Sequence, residues 1–140
     1  MSMIPILGTP SAYRLTRDYW LAECPRRGWP TNMSQKVPEP LPTGRRFWTL
    51  VRLNTRKTER FTSSQLLQLR YHDPDGNRAE RIADDALELW LVMPSFGMVQ
   101  DVEHAGGPTS SPDPNVPDLQ RMLITAWVTV MNTNPPTPTP

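Results

Sequence analysis

The sequence predicts an α+β fold: a mixed, mainly antiparallel β-sheet on which one main amphipathic helix and a shorter N-terminal helix pack. One segment, residues 78–93, places apolar residues at helical spacing, whereas several shorter segments are β-branched or alternate between apolar and polar residues. The predicted order is helix, strand, strand, helix, strand, strand, which is typical of a sheet with helices packed against it. The chain has 17 prolines in 140 residues, clustered between and outside these segments, where they indicate connections and extended arms.

The N-terminal segment is predicted to contain the shorter helix. Residues 1–10 are expected to be extended because prolines interrupt them. Ser11 is suited to cap a helix over 11–24, and Pro25 is expected to stop it. The face of this helix that turns inward is predicted to carry Ala12, Leu15, Tyr19 and Ala22.

The first strands come next in the chain. Residues 33–37 favour a short strand, and residues 47–53 alternate in a way that gives a strand at least one buried face. A further strand is predicted at 65–71, with Leu67, Leu69 and Tyr71 on one face. Because a short polar segment, 54–64, connects the last two, we expect them to pair antiparallel.

The second half of the chain begins with the main helix at 78–93. Its acidic residues lie opposite an apolar stripe, which is predicted to face the core. The stripe consists of Ala79, Ile82, Ala83, Ala86, Leu87 and Trp90. A strand is predicted at 98–104, a rigid loop at 105–118 and a long β-branched strand at 119–131.

The pattern predicts three regions. Residues 1–36 form an N-terminal arm with the short helix, residues 37–131 form the α+β core domain, and residues 132–140 form a proline-rich tail. The tail is expected to be extended and similar to polyproline.

Composition argues against several classes of partner. The formal net charge of +1 provides no global field that would attract nucleic acid or a membrane surface. No apolar run reaches the length of a membrane span, and the N-terminus lacks the pattern of a signal peptide. The single cysteine, Cys24, excludes an internal disulfide. These features predict a protein made and assembled in the cytoplasm, without a membrane partner.

No catalytic chemistry is predicted, because none of the common catalytic or nucleotide-binding motifs occurs. His72 and His104 are interpreted as exposed polar residues at strand ends. Four acidic residues could gather around a metal, but glycine and proline turns separate them, which favours solvated loop acids; they are Asp101, Glu103, Asp113 and Asp118. The expectation is a protein without enzyme activity, metal or cofactor.

Basic and aromatic residues supply the candidate contacts. Arg56, Lys57 and Arg60 lie in one hairpin, with Arg45 and Arg46 nearby in sequence. A solvated hairpin is the simplest interpretation, and a subunit contact or a basic rim beside DNA are the alternatives. Three tryptophans are predicted to be core residues and two to be interface anchors, because aromatic residues dominate binding hot spots. The core set is Trp48, Trp90 and Trp127, and the anchors are Trp20 and Trp29.

The order of these segments resembles a known protein family. The segments come in the following order: "VPEPLP", a strand, a polar hairpin, "QLLQLRYHD", an acidic-faced helix, a strand ending in "AGGP", and then "SPDPNVPDLQRMLITAWVTV". This series resembles the tail terminator proteins of long-tailed (siphovirus-type) bacteriophages, and most of all those of phages that infect actinobacteria. The resemblance extends from residue 37 to about residue 133.

The resemblance implies a structural virion protein at the head-proximal end of the tail. It implies a mixed sheet flanked by helices and a homohexameric ring that caps the tail tube protein, ends tail elongation and joins the head–tail connector protein. DNA would pass through the ring without sequence-specific binding.

Ring assembly suggests roles for particular residues, since a ring requires one patch of a subunit to meet a different patch of its neighbour. A loop that contains several prolines loses little conformational entropy when a neighbouring subunit binds it, so the segment 105–118 is the candidate subunit interface. Its named residues are Gly106, Gly107, Pro108, Pro112, Asp113 and Pro114. Arg56, Lys57 and Arg60 would face the lumen and its DNA, and residues 132–140 would reach a neighbouring ring.

Three alternatives stay open at this level. The chain could be another head–tail connector or head-completion protein of the same particle. It could be a small nucleic-acid-binding module that uses the basic residues, or an enzyme whose metal is held by acidic residues such as Asp101 and Asp113.

Overall fold

A computed structural model describes residues 11–56, 61–95 and 99–131. It contains the elements α1 (Ala12–Arg27), β1 (Met33–Ser34), β2 (Phe47–Arg56), β3 (Thr62–Asp73), α2 (Gly76–Leu91), β4 (Val99–Ser110) and β5 (Gln120–Met131). Short 3-10 turns occupy Thr43–Arg45 and Met93–Ser95. The predicted α+β class is therefore confirmed. The predictions for residues 1–10 and for the tail at 132–140 lie outside the described residues.

The five strands form one sheet in the order β1-β2-β3-β5-β4. β1 pairs parallel with β2, and the other three pairs are antiparallel, including the predicted β2–β3 pair. β3 lies at the centre, where Leu69 pairs with Leu50 of β2 and Ile124 of β5. The sheet is thus mixed and mainly antiparallel, as the sequence predicted.

The two faces of the sheet have different surroundings. On one face, alternate residues such as Leu67, Leu69 and Val128 are buried against both helices in a single core. On the opposite face, which we call the open face, neither helix covers the side chains, and most of them are half-buried. The open face consists of Leu66, Gln68 and Arg70 of β3, Leu123, Thr125 and Trp127 of β5, and their neighbours in β2 and β4.

Helix α1 is longer than predicted and turns a different face inward. Pro25 does not stop it; the helix continues to Arg27 and ends where Gly28 adopts a left-handed conformation. A proline in the last turn removes a single backbone hydrogen bond, and the Gly28 and Trp29 N–H groups both donate to the Cys24 carbonyl. The residues buried on α1 are Ala12, Tyr13, Thr16, Trp20 and Cys24, whereas Ala22, predicted to be inside, is exposed. Ser11 caps the helix as predicted, by accepting a hydrogen bond from the Arg14 N–H.

Helix α2 agrees closely with the prediction. Asp75 caps it and accepts hydrogen bonds from the N–H groups of Asn77 and Arg78, so the helix begins at Gly76. Its buried residues are Ala79, Ile82, Ala83, Ala86, Leu89 and Trp90, which differ from the predicted stripe by Leu89 in place of Leu87. The acidic residues Glu80, Asp84, Asp85 and Glu88 are exposed.

Strand β4 extends through a segment that was predicted to be a loop. The strand continues to Ser110, so Gly106, Gly107 and Pro108 are strand residues. Its pairing with β5 shifts register at three places, the last two on either side of Gly106. These irregularities absorb the glycines and the proline without ending the ladder. β4 is an edge strand, which is where proline is tolerated in a sheet.

Candidate functional site

Tryptophan rings from three parts of the chain meet between α1 and the sheet. The Trp20 ring centroid lies 6.2 Å from that of Trp29, 5.4 Å from that of Trp48 and 6.3 Å from that of Trp90. Trp20 is fully buried and Trp29 is only 9% exposed. The two predicted interface anchors therefore hold α1 on its own sheet, and their side chains offer almost no surface to a partner. Trp20 lies at helical spacing from Ala12, Tyr13 and Thr16, and this spacing could have indicated that Trp20 is on the buried face of α1.

Trp127 lies on the open face and not in the core where it was predicted. It is half-buried, and the Arg56 guanidinium carbon lies 4.2 Å from the ring centroid. A terminal nitrogen of Arg56 is also 3.9 Å from a carboxylate oxygen of Glu103. Arg56 is thus engaged by an aromatic face and a carboxylate of its own chain. Lys57 and Arg60 lie outside the described residues.

The predicted interface residues fall in two places. Gly106, Gly107 and Pro108 lie on the edge strand β4. In the loop from β4 to β5, Pro112 and Pro114 are exposed.

Asp113, between the two exposed prolines, is turned inward. It is 7% exposed, accepts a hydrogen bond from the Asn115 N–H at 2.9 Å and lies 3.5 Å from a terminal nitrogen of Arg121. Asp113 therefore orders the loop that presents the two prolines to solvent.

A cleft of about 610 Å³ opens at one end of the open face, and the sequence did not predict it. Two proline-containing segments, 35–41 and 113–116, flank it, and Thr49, Arg70 and His72 form its floor. Thr49 is 2% exposed, and its hydroxyl has no hydrogen-bond partner among the described residues. These residues lie far apart in sequence and are brought together by the β2–β3 pairing and by the β4–β5 loop.

His72 is buried, which corrects its interpretation as an exposed strand-end residue. It is 1% exposed, and its ring stacks on Phe47 with centroids 4.3 Å apart. Burial lowers the pKa of His72 to about 4, and Arg121 and Arg70 add to this, while Asp113 and the Phe47 backbone oppose it. Although the Phe47 backbone is close, neither ring nitrogen makes a hydrogen bond of good geometry within the described part of the chain. The imidazole is therefore neutral near pH 7.

His104 is exposed as predicted. Its Nε2 lies 2.6 Å from the Gly107 carbonyl oxygen, so its contact is with its own strand.

A second polar cluster surrounds Asp73 at the start of α2. The fully buried carboxylate accepts two hydrogen bonds of 2.7 Å from Arg78 and one of 2.7 Å from the Tyr71 hydroxyl. Arg46 lies 3.4 Å away. Burial raises the pKa of Asp73, but hydrogen bonds from Arg78, the Asp75 N–H and Tyr71 outweigh it and hold the pKa below its usual value. Because every polar group in this cluster has a partner, we interpret the cluster as structural. Arg46, one of the candidate basic residues, is engaged in it.

The acidic residues considered for a metal do not converge. Among the described residues there is no group of three histidine, cysteine, aspartate or glutamate side chains that could hold a metal ion. Asp101, Glu103 and Asp118 are exposed, whereas Asp113 is paired with Arg121.

Neither described helix is long and apolar enough to cross a membrane. No protein-family model matches the chain, and no curated protein matches it at a significant level.

Proposed function

We propose that this protein is a tail terminator of a long-tailed bacteriophage, a structural subunit that caps the tail tube as a hexameric ring. In this role it ends tail elongation and joins the tail to the head connector, at the head-proximal end of the tail. The proposal rests on the order of segments described from the sequence. The structural observation that supports it most is a mixed sheet with both helices on one face and the other face open to a neighbour.

The surfaces available for ring contacts agree with this role. A closed ring requires two different patches on each subunit, because the contacts are heterologous. The described residues offer an open sheet face, a long edge strand and a loop with two exposed prolines, Pro112 and Pro114. A proline restricts the backbone of the loop before any contact forms, so binding of a neighbouring subunit costs little further conformational entropy.

The engagement of basic residues favours a structural role over a nucleic-acid-binding module. Arg56 is held by Trp127 and Glu103, and Arg46 donates to the Tyr71 hydroxyl at 2.8 Å beside Asp73. Phosphate binding would have to compete with these internal contacts. In the proposed ring, Arg56 and the hairpin that carries it border the lumen, where DNA passes without being held.

Negative-stain imaging of the purified protein tests the proposal directly. The protein is imaged alone and mixed with tail tubes from a terminator-deficient mutant of the phage that encodes it. Six-fold rings, or capped tubes that no longer grow, are the expected result. Monomers that leave tube growth unchanged would contradict the proposal and direct attention to a connector role.

A further inference from the structure

We infer that the cleft at the end of the open face is a binding site for a monocarboxylate that carries an apolar group. The cleft adjoins the open face and the β4–β5 loop that were proposed above as ring contacts, but the inference is argued from the cleft's own residues and does not depend on ring formation. Its volume of about 610 Å³ lies within the range of pockets that bind small ligands.

The floor of the cleft carries buried polar groups that lack partners. Thr49 and His72 are 2% and 1% exposed, and neither the hydroxyl nor the ring nitrogens make a hydrogen bond within the described residues. Buried polar groups in folded proteins are nearly always satisfied, and leaving one unpaired costs free energy. A ligand that enters the cleft and exchanges hydrogen bonds with these groups would recover that cost.

Arg70 supplies the positive charge for such a ligand. Its Nε donates to the Gln68 side chain at 2.8 Å, and no other acceptor for its guanidinium is found among the described residues. Burial lowers the pKa of Arg70, and the nearby Arg121 adds to this, while Asp113 opposes it. Arg121 is already held by the Ser111 carbonyl at 2.7 Å and by Asp113, so Arg70 is the cation that remains available.

The charge balance favours a single negative charge. Arg70 and Arg121 face one carboxylate, Asp113, and His72 is neutral, so the inner part of the cleft carries about one net positive charge. Lys36 and Glu39 at the rim offset each other. A carboxylate balances this charge and can accept two parallel hydrogen bonds from a guanidinium. A phosphate dianion would leave excess negative charge beside Asp113 and Glu39.

The walls of the cleft define the rest of the ligand. Val37 and Leu41 line one side and Val116 lines the other, and each is partly buried. A short apolar chain attached to the carboxylate would cover these side chains and gain free energy by removing their surface from water.

Ligand-observed NMR titrations of the full chain test this inference, using butyrate and its neutral analogue butyramide at matched ionic strength. Loss of the charged hydrogen bonds should make butyramide bind about tenfold more weakly than butyrate, which corresponds to about 1.4 kcal/mol. Arg70→Gln should weaken butyrate by a similar factor. The control Arg81→Gln, at an exposed position on α2, should leave binding unchanged.

A second variant separates binding from folding. Thr49→Val keeps the shape of the side chain and breaks no internal hydrogen bond, so it should fold and still bind butyrate several-fold more weakly. Equal binding of butyrate and butyramide would overturn the inference, as would tighter binding of phosphate or full affinity in both cleft variants.

Sedimentation velocity with and without butyrate distinguishes two sources of the carboxylate. If butyrate binds and also dissociates oligomers in sedimentation velocity, the natural ligand is an acidic side chain of a second copy of this chain. If it binds without changing the sedimentation, a second copy of this chain does not supply the carboxylate, and the result favours a free small molecule. Both results support the carboxylate site.

Discussion

Gly107 adopts a backbone conformation that side chains rarely accept. Its φ is +82°, and a Cβ atom placed there would overlap the carbonyl oxygen of Leu123 on the neighbouring strand. We expect Gly107→Ala to lower the free energy of unfolding by about 2–4 kcal/mol, from left-handed strain and displacement of the β4–β5 ladder. Urea denaturation measures this change.

Gly106 provides a matched control for that substitution. A Cβ at Gly106 would lie 4.0 Å from its nearest neighbour, the Cβ of Thr125, which is an ordinary contact. Gly106→Ala should therefore change stability by less than about 1 kcal/mol. Equal effects of the two substitutions would show that Gly107 is not required for the course of the strand.

His72 should make stability depend on pH in a defined window. Its pKa is about 4 in the folded chain and 6.5 when unperturbed, so between these values the unfolded chain binds a proton that the folded chain does not. The free energy of unfolding should therefore fall as the pH decreases from about 6.5 to about 4, by about 3 kcal/mol in total. Below the folded-state pKa this contribution levels off.

Comparing variants isolates the histidine from the carboxylates that titrate in the same range. His72→Phe keeps a ring against Phe47, and the difference between its stability and that of the unchanged chain should vary across this window. Parallel profiles for the unchanged chain and His72→Phe would contradict the shifted pKa.

At the scale of elements, the sequence predicted the number and order of helices and strands better than their ends. Residues of α2 repeat at helical spacing over four turns, and this pattern identified its buried face almost completely. In α1 the pattern was imperfect, and the contacts of Trp20 with three other tryptophans decided which face turned inward. The extension of β4 through Gly106 and Pro108 depends on pairing with β5, which local preferences do not contain.

The junction of β3 and α2 depends on one carboxylate. Asp73 is fully buried, and three other side chains and a backbone N–H point at it. Asp73→Asn keeps the shape but leaves Arg46 and Arg78 without a counter-charge. Because these arginines are 24% and 34% exposed, water relieves part of the penalty, and we expect a loss of about 2–3 kcal/mol in urea denaturation.

The exposed face of α2 supplies the control for this substitution. Asp84→Asn removes a carboxylate that is solvated, and it should change stability by less than about 0.5 kcal/mol. Similar losses for both variants would show that the Asp73 cluster does not hold the junction.

At the scale of the whole molecule, the cleft could not have been predicted from the sequence. Its floor comes from β2 and β3, its walls come from two separate proline-containing segments, and only the folded sheet brings them together. Charge and motif patterns describe only residues that are neighbours in sequence. His72 was therefore interpreted as exposed because turn residues follow it, although the fold buries it. The same limit applied to Trp29, whose contacts are with α1 and β2.

Self-association is expected to depend on the exposed prolines of the β4–β5 loop. If the proposed ring forms, Pro114→Glu places a charge and a less restricted backbone in the contact, and should weaken association by about tenfold or more. Ala22→Glu, an exposed position on α1, adds the same charge elsewhere. Sedimentation velocity on the two variants measures the effect, with unchanged urea denaturation as evidence of an intact fold. Equal association for Pro114→Glu and the unchanged chain would exclude the loop from the interface.

Strand β1 covers only part of the sheet edge on its side, and this affects how copies of this chain can join. Its two residues pair with Trp48 and Thr49, so among the described residues β2 has no neighbouring strand on that side from Leu50 to Arg56. The opposite edge is β4, with 12 residues. Joining the β4 edge of one copy to the β2 edge of the next would unite two unlike edges, which is the kind of contact that can close a ring, whereas joining β4 to β4 has two-fold symmetry and stops at a pair. Subunits joined by unlike edges would share a backbone ladder, and separating them would break its hydrogen bonds.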